Sequence, residues 1–180
     1  MQDVRSRKQK IRRKKILPIT SRLLPLASCN LQLDTYFMSE ALKEAKKAVK
    51  KGEVPIGAVI VSDNNIIARG YNLKESAADP TSHAEIIAIK KASKKLGEWR
   101  LLNSTIYVTL EPCLMCMGAL IQARISRLVF GCYDSKAGAA GSLYDVSNDK
   151  RLNHRIKLTT GVMTAECEKI LKDFFRDLRR

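Results

Sequence analysis

A chain of 180 residues, 45% hydrophobic and 28% charged, has the size and composition of one globular domain with a substantial core. No apolar run approaches the roughly 20 residues that a membrane span needs, so no membrane partner is expected. Five cysteines, an odd number at uneven spacing, make no disulfide framework and point to a reducing, cytoplasmic setting.

The net charge of +15 is unevenly spread. Residues 1–33 hold nine Lys or Arg against Asp3 alone, a net +8, which leaves +7 for residues 34–180. The block "RSRKQKIRRKK" repels itself and reads as a disordered extension. Arg22 and two prolines interrupt the following "ILPITSRLLPLASC", which argues against a secretory signal. An organelle leader fits it, and so does a start assigned too early, with Met38 as the later one; the early start is preferred. The expected domain is residues 34–180, basic enough to suit a polyanionic partner.

From Asp34, read as an N-cap, apolar residues from Phe37 to Val49 recur at helical spacing until Gly52. "IGAVIVS" and "NIIARGYN" flank Asp63-Asn64-Asn65 as a hairpin. A polar loop over 72–82 leads through Asp79-Pro80 into a helix carrying His83 to Leu96, closed by Gly97. "STIYVTL" reads as a buried strand, and Pro112 favours a helix through Ala123 with the proline in its first position. A strand at "SRLVFG", a glycine-rich loop over 131–142, a short strand near "HRIKLTT" and a last helix from about Thr164 complete the chain. Strands alternating with helices predict an α/β layered domain.

Two helix starts carry chemistry. In "PTSHAEI", Ser82 and Glu85 fit a capping box, which would make Glu85 structural and His83 a bystander. In "LEPCLMC", Cys113 and Cys116 stand three apart, on one side of a helix N-terminus whose free N–H groups favour thiolates. Core cysteine and a thioredoxin-like redox pair are the rival readings. A redox pair needs no histidine and glutamate at a second helix start. Taken together, His83, Cys113 and Cys116 give three N/S ligands suited to Zn²⁺, with a fourth position left for water, as in catalytic zinc sites. A carboxylate that is not a ligand must then move protons, and Glu85 is two residues from the histidine.

H-x-E followed by P-C-x-x-C resembles the signature of the zinc-dependent cytidine/deoxycytidylate deaminase family. "EVPIGAVIV", "GYN", "DPTSHAEIIAI", "YVTLEPCLMCMGALI", "DSKAGAAGSLYDV", "LNHRI" and "FFR" narrow the likeness to bacterial tRNA-specific adenosine deaminases, over about residues 34–180. The resemblance implies a three-layer α/β/α cytidine-deaminase-like fold with a central mixed five-stranded sheet. It implies one Zn²⁺ per subunit and a homodimer whose groove uses both subunits. The activity implied is deamination of adenosine to inosine at wobble position 34 of a tRNA anticodon loop, by resemblance that of an arginine tRNA with an ACG anticodon. Deamination of a free base, nucleoside or nucleotide shares the zinc motif and stays open on the motif alone.

By the same resemblance Asn72 hydrogen-bonds the purine, and Ile56 and Leu110 wall its pocket. Asp134 stands near the preceding nucleotide, where it can accept from a ribose 2′-OH. Lys136, Arg155 and Arg176 meet phosphates, and His154 and Phe175 stack on splayed loop bases. The plainer readings are a turn for Asn72 and Asp134, core for Ile56, Leu110 and Phe175, and solvated charge for the basic residues.

Overall fold

The computed structural model describes residues 26–180, with side chains from Asn30 onward. The basic block lies outside the described residues. The elements run α1 (Leu26–Val49), β1 (Gly57–Ser62), β2 (Asn65–Tyr71), α2 (Ala84–Leu96), β3 (Thr105–Leu110), α3 (Leu114–Gln122), β4 (Arg127–Cys132), β5 (Lys157–Thr160) and α4 (Thr164–Asp177).

The five strands form one sheet in the order β2-β1-β3-β4-β5. β1 pairs antiparallel with β2 and β3, while β3, β4 and β5 run parallel. The β1–β2 turn is a two-residue loop at Asp63 and Asn64, both with positive φ (49° and 57°). Asn and Asp tolerate that conformation best among residues with a side chain.

The sheet is mixed and covered on both faces, the three-layer arrangement that the family resemblance implied. On one side α2 and α3 enclose a core of Ile60, Ile106, Val108, Met117, Leu120 and Phe130. On the other, α1 and α4 pack with Phe37, Met38, Val59, Tyr107, Val129 and Cys167. Two glycines bring helices close to the sheet. A Cβ at Gly57 would collide with the backbone of Ala41 and Ala45 in α1, and one at Gly70 with the Ala84 carbonyl in α2. Gly70 therefore seats the first turn of α2 directly on β2.

The first helix departs from the sequence reading. It begins at Leu26, eight residues before Asp34, inside the segment read as an extension. Asp34 is therefore no N-cap. It is buried within the helix and accepts from Arg127 Nη1 (2.8 Å), Arg127 Nη2 (2.6 Å) and the Tyr107 hydroxyl (2.8 Å). One carboxylate thus ties α1 to β3 and β4, and a paired partner is what makes burying it tolerable.

Candidate metal centre and active site

β3 and β4 end side by side at Leu110 and Cys132, and the segment after β3 leads at once into α3. The carboxyl ends of parallel strands are where open α/β sheets place ligands. Both helices that meet there start on unusual residues. His83 is the N-cap of α2 and Cys113 the N-cap of α3, each with extended backbone and neither capping with its side chain. Their side chains are left for other work.

That registration corrects two sequence expectations. Ser82 lies one residue before the N-cap and donates its hydroxyl to Asp79 Oδ2 at 2.8 Å, so the Ser82–Glu85 capping box does not form. Pro112 precedes the N-cap Cys113, and the first position of α3 is Leu114.

His83 Nδ1 lies 3.7 Å from Cys113 Sγ and 3.5 Å from Cys116 Sγ, and the three ligand atoms lie within 4.8 Å of one another. A tetrahedral zinc with bonds of about 2.0–2.3 Å sets N···S separations near 3.6 Å, so the donor set fits that ion. The three groups also compete for protons. Hydrogen bonds from Cys116, then from His83, pull the Cys113 thiol down to about 4. The same pairing with Cys113, together with burial, pushes Cys116 up, and His83 is raised by its bond to Cys113. A divalent cation displaces such protons when it binds.

Glu85 is 3% exposed, and its Oε2 has no hydrogen-bond partner. Burial pushes its carboxyl up, since the charged form is the costly one there. A buried acceptor without a donor, in the residue two along from His83, suits a group that exchanges protons with a ligand. Cys132 and Cys167 are buried under α1 and α4, where burial lifts them to about 11 and about 12. The side chain of Cys29 lies outside the described residues.

Asn72 is buried and donates Nδ2 to Glu53 Oε2 at 3.1 Å. Ile56 packs against the core on the α2–α3 side, while Leu110 packs against the cluster under α1 and α4. Asp134 Oδ1 accepts from the N–H of Lys136 (2.9 Å) and Ala137 (3.3 Å), which makes it a turn cap. Lys136 and Phe175 line one cavity of about 350 Å³ with Leu178 and Arg179. Arg176 is engaged by Asp173 at 2.8 Å and Asp177 at 3.7 Å. His154 donates Nε2–H to the Ile125 carbonyl at 2.7 Å, and Arg155 is exposed.

Two residues that the motifs did not single out hold these segments. Glu111 takes four hydrogen bonds from Asp134, Ala140 and Ser142, the last through both its N–H and its hydroxyl. Glu53, fully buried, holds Asn72 and the loop after it. Their only sequence signal is an acid next to otherwise apolar segments, at "GEVP" and "TLEP".

Comparison with known proteins matches residues 33–179 to the MafB19-like deaminase family. The chain is similar to the tRNA-specific adenosine deaminase of Bacillus subtilis, 49% identical over 147 residues, which cover 82% of this chain and 91% of that protein. It is similar to the protein of the same name from Haemophilus influenzae, 48% identical over 154 residues, covering 85% and 89%. A solved structure from a study of A-to-I editing by tRNA:A34 deaminases superposes with a TM-score of 0.74 at 43% identity, covering 76% of this chain and 99% of that one. On this likeness over most of both chains, together with the H-x-E and P-C-x-x-C residues gathered at the ends of the central strands, the chain belongs to the family of the tRNA-specific adenosine deaminases.

Proposed function

We propose that the chain hydrolyses adenosine to inosine at the wobble position (34) of a tRNA anticodon, releasing ammonia. The observation that carries this reading is the unpartnered, buried Glu85 oxygen beside a His/Cys/Cys group with zinc spacing. His83, Cys113 and Cys116 would hold one Zn²⁺ per chain, which would lower the pKa of a bound water from 15.7 toward about 7. Glu85 takes one proton from the attacking water and delivers it to N1 of the ring; it then takes the second, from the new C6 hydroxyl, and delivers it to the exocyclic amine, which leaves as ammonia. The C6–N6 bond breaks and a C6–O bond forms, so the carboxylate ends the cycle as it began. Its raised pKa suits a group that must hold a proton between two transfers.

Asn72 would hold the purine edge and Ile56 would bound its pocket on the α2–α3 side, whereas Leu110, packed with the cluster under α1 and α4, is core rather than pocket wall. An anticodon loop offers a base that is inexpensive to flip out. Lys136 and Phe175 share one cavity, and in this reading they would meet a phosphate and a splayed base. Leu114, Met115, Tyr133, Leu143 and Tyr144 are exposed on the first turn of α3 and the loop after β4. So much apolar surface close to the site suits burial against a second copy, in a homodimer whose groove draws on both subunits. The substrate implied by the family is an arginine tRNA with an ACG anticodon.

Metal analysis and a deamination assay on anticodon stem-loop RNA test this reading. The expected result is one zinc per chain, lost in Cys113→Ser and Cys116→Ser but not in Cys132→Ser or Cys167→Ser, with inosine formed at position 34. Preferential turnover of free adenosine, cytidine or guanine would overturn it.

A further inference from the structure

We propose that Glu53 is a positioning residue that fixes the orientation of the Asn72 side-chain amide, and through it the base; this rests on the deaminase reading above. Glu53 follows Gly52, which turns the chain out of α1 with φ 73°, and its side chain is completely buried. Oε2 accepts from Asn72 Nδ2 at 3.1 Å and from the Glu75 N–H at 3.3 Å, and Oε1 accepts from the Ser76 N–H at 2.6 Å.

A carboxylate only accepts, so the NH₂ end of Asn72 must face Glu53. The assignment of oxygen and nitrogen in that amide is thereby chemical. Among the described residues nothing donates to Asn72 Oδ1, and that atom is not sealed from solvent although the residue is 4% exposed. What Asn72 can offer a ligand is therefore an acceptor oxygen and its second N–H. That pair complements a purine edge bearing an amine and a ring-nitrogen acceptor.

Glu53 has a second reach. Its bonds to Glu75 and Ser76 fasten the start of the loop over 72–82, which the Leu73 N–H closes on the Ser82 carbonyl at 3.0 Å just before His83. The two reaches separate in an experiment. A purely structural Glu53 acts through the loop, hence on His83 and the metal. A positioning Glu53 acts through Asn72 alone.

Glu53→Gln replaces one acceptor by a donor of nearly the same shape. Whichever way its amide turns, an NH₂ group faces either Asn72 or the Ser76 N–H. Reversing Asn72 relieves the first conflict and presents NH₂ to the base in place of Oδ1. Steady-state kinetics on stem-loop RNA are measured for Glu53→Gln, Glu53→Asp, Asn72→Ala and the Glu53→Gln/Asn72→Ala pair, with zinc content alongside. The positioning role predicts that Glu53→Gln lowers kcat/KM by about 10- to 100-fold, the scale of one hydrogen bond to a charged group. It also predicts full zinc content and a double variant no slower than Asn72→Ala. Glu53→Asp, still acceptor-only, should lose less than Glu53→Gln.

Multiplying effects in the double variant, wild-type kinetics in Glu53→Gln, or zinc loss in Glu53→Gln but not in Asn72→Ala would each overturn the role. If Glu53→Gln does not fold, the cycle is run with Glu53→Asp. The side-chain amide resonances of Asn72, observed by NMR without substrate, give a readout independent of activity. They should move on substitution of Glu53, and unmoved resonances count against the proposal. A wild type inactive on RNA loops would instead undo the deaminase reading, leaving those resonances to decide the role of Glu53.

Discussion

Ala140 donates its backbone N–H to the Glu111 carboxylate at 2.8 Å, 29 residues back along the chain. The N–H groups of Ser142 and Asp134 add bonds of 3.0 Å each, and the Ser142 hydroxyl adds a fourth. Burial pushes this carboxyl up, but the Ser142 hydroxyl and the three N–H groups outweigh it and hold it below the usual range. A Cβ at Gly138 would strike the same carboxylate, and the Ala139 N–H meets the Pro112 carbonyl at 2.9 Å. The loop after β4 is thus folded onto the segment that presents Cys113.

Glu111→Gln would turn one acceptor into a donor facing N–H groups. The expected outcome is retained zinc, faster proteolysis within 134–142, and kcat/KM lower by about tenfold or more, the scale of one charged hydrogen bond lost. Gly138→Ala should loosen the same loop by collision. A Glu111→Gln protein with wild-type protection from protease would show that the four bonds are redundant.

Glu85→Gln asks whether the buried carboxylate works as a proton carrier. The structure removes its competing role, because Ser82 bonds Asp79 and no capping box exists. A neutral amide is also easier to bury than a carboxylate with no partner on one oxygen. Melting temperature and zinc content should therefore match or exceed those of the wild type. Deamination should fall by about 10²- to 10⁴-fold, the range of general acid–base contributions. An active Glu85→Gln enzyme would end the assignment.

The His83, Cys113 and Cys116 group was legible in the sequence because a metal site's demands are local. H-x-E and C-x-x-C each fit within one helical turn, so spacing alone states which side chains can converge. The strands and helices followed from apolar periodicity, and the Asp63-Asn64 turn from its residue types. The helix starts were misread by one residue at α2 and by two at α3, since Ser82 and Pro112 suit a helix start and only tertiary bonds decide the register. Asp34 was misread for the same reason: an acid before an apolar stripe looks like a cap until Arg127 and Tyr107 arrive from strands far along the chain. Glu53 and Glu111 left almost no trace, because their roles lie in backbone N–H groups of loops, which side-chain patterns do not encode.

The start of α1 gives a stability test. Asn30 and Leu33 lie on the helix ahead of Asp34, and Leu33 packs against the core under α1 and α4. A chain begun at Asn30 keeps Leu33, Asp34 and Phe37. One begun at Met38 loses all three and leaves Arg127 and Tyr107 without their carboxylate. The shorter chain should be less stable by about 3 kcal/mol or more, since charged hydrogen bonds are worth about 1.5–3 kcal/mol each and a buried phenylalanine goes as well. Denaturant melts of the two chains measure the difference, and equal midpoints would mean that α1 contributes little before Met38.

Asp134 sets the last test, because its two oxygens have different duties. Oδ1 caps the turn through Lys136 and Ala137, while no donor reaches the other oxygen among the described residues. Asp134→Asn is therefore a clean change. The amide oxygen can keep the turn, as Asn does in such turns, and only the outward oxygen becomes NH₂. If that oxygen accepts from a ribose 2′-OH, the wild type prefers an RNA loop to the same sequence in DNA, because the 2′-OH distinguishes the two at a given site. Facing a deoxyribose, the carboxylate lacks its donor and sits near phosphates of like charge, so DNA is disfavoured twice. Removing the charge should narrow the RNA:DNA ratio by about tenfold, one charged hydrogen bond's worth, mainly by improving DNA. Competition kinetics on matched RNA and DNA hairpins, with a melting curve to confirm the fold, measure it. A ratio that stays put in a folded Asp134→Asn protein would leave Asp134 as a turn cap and nothing more.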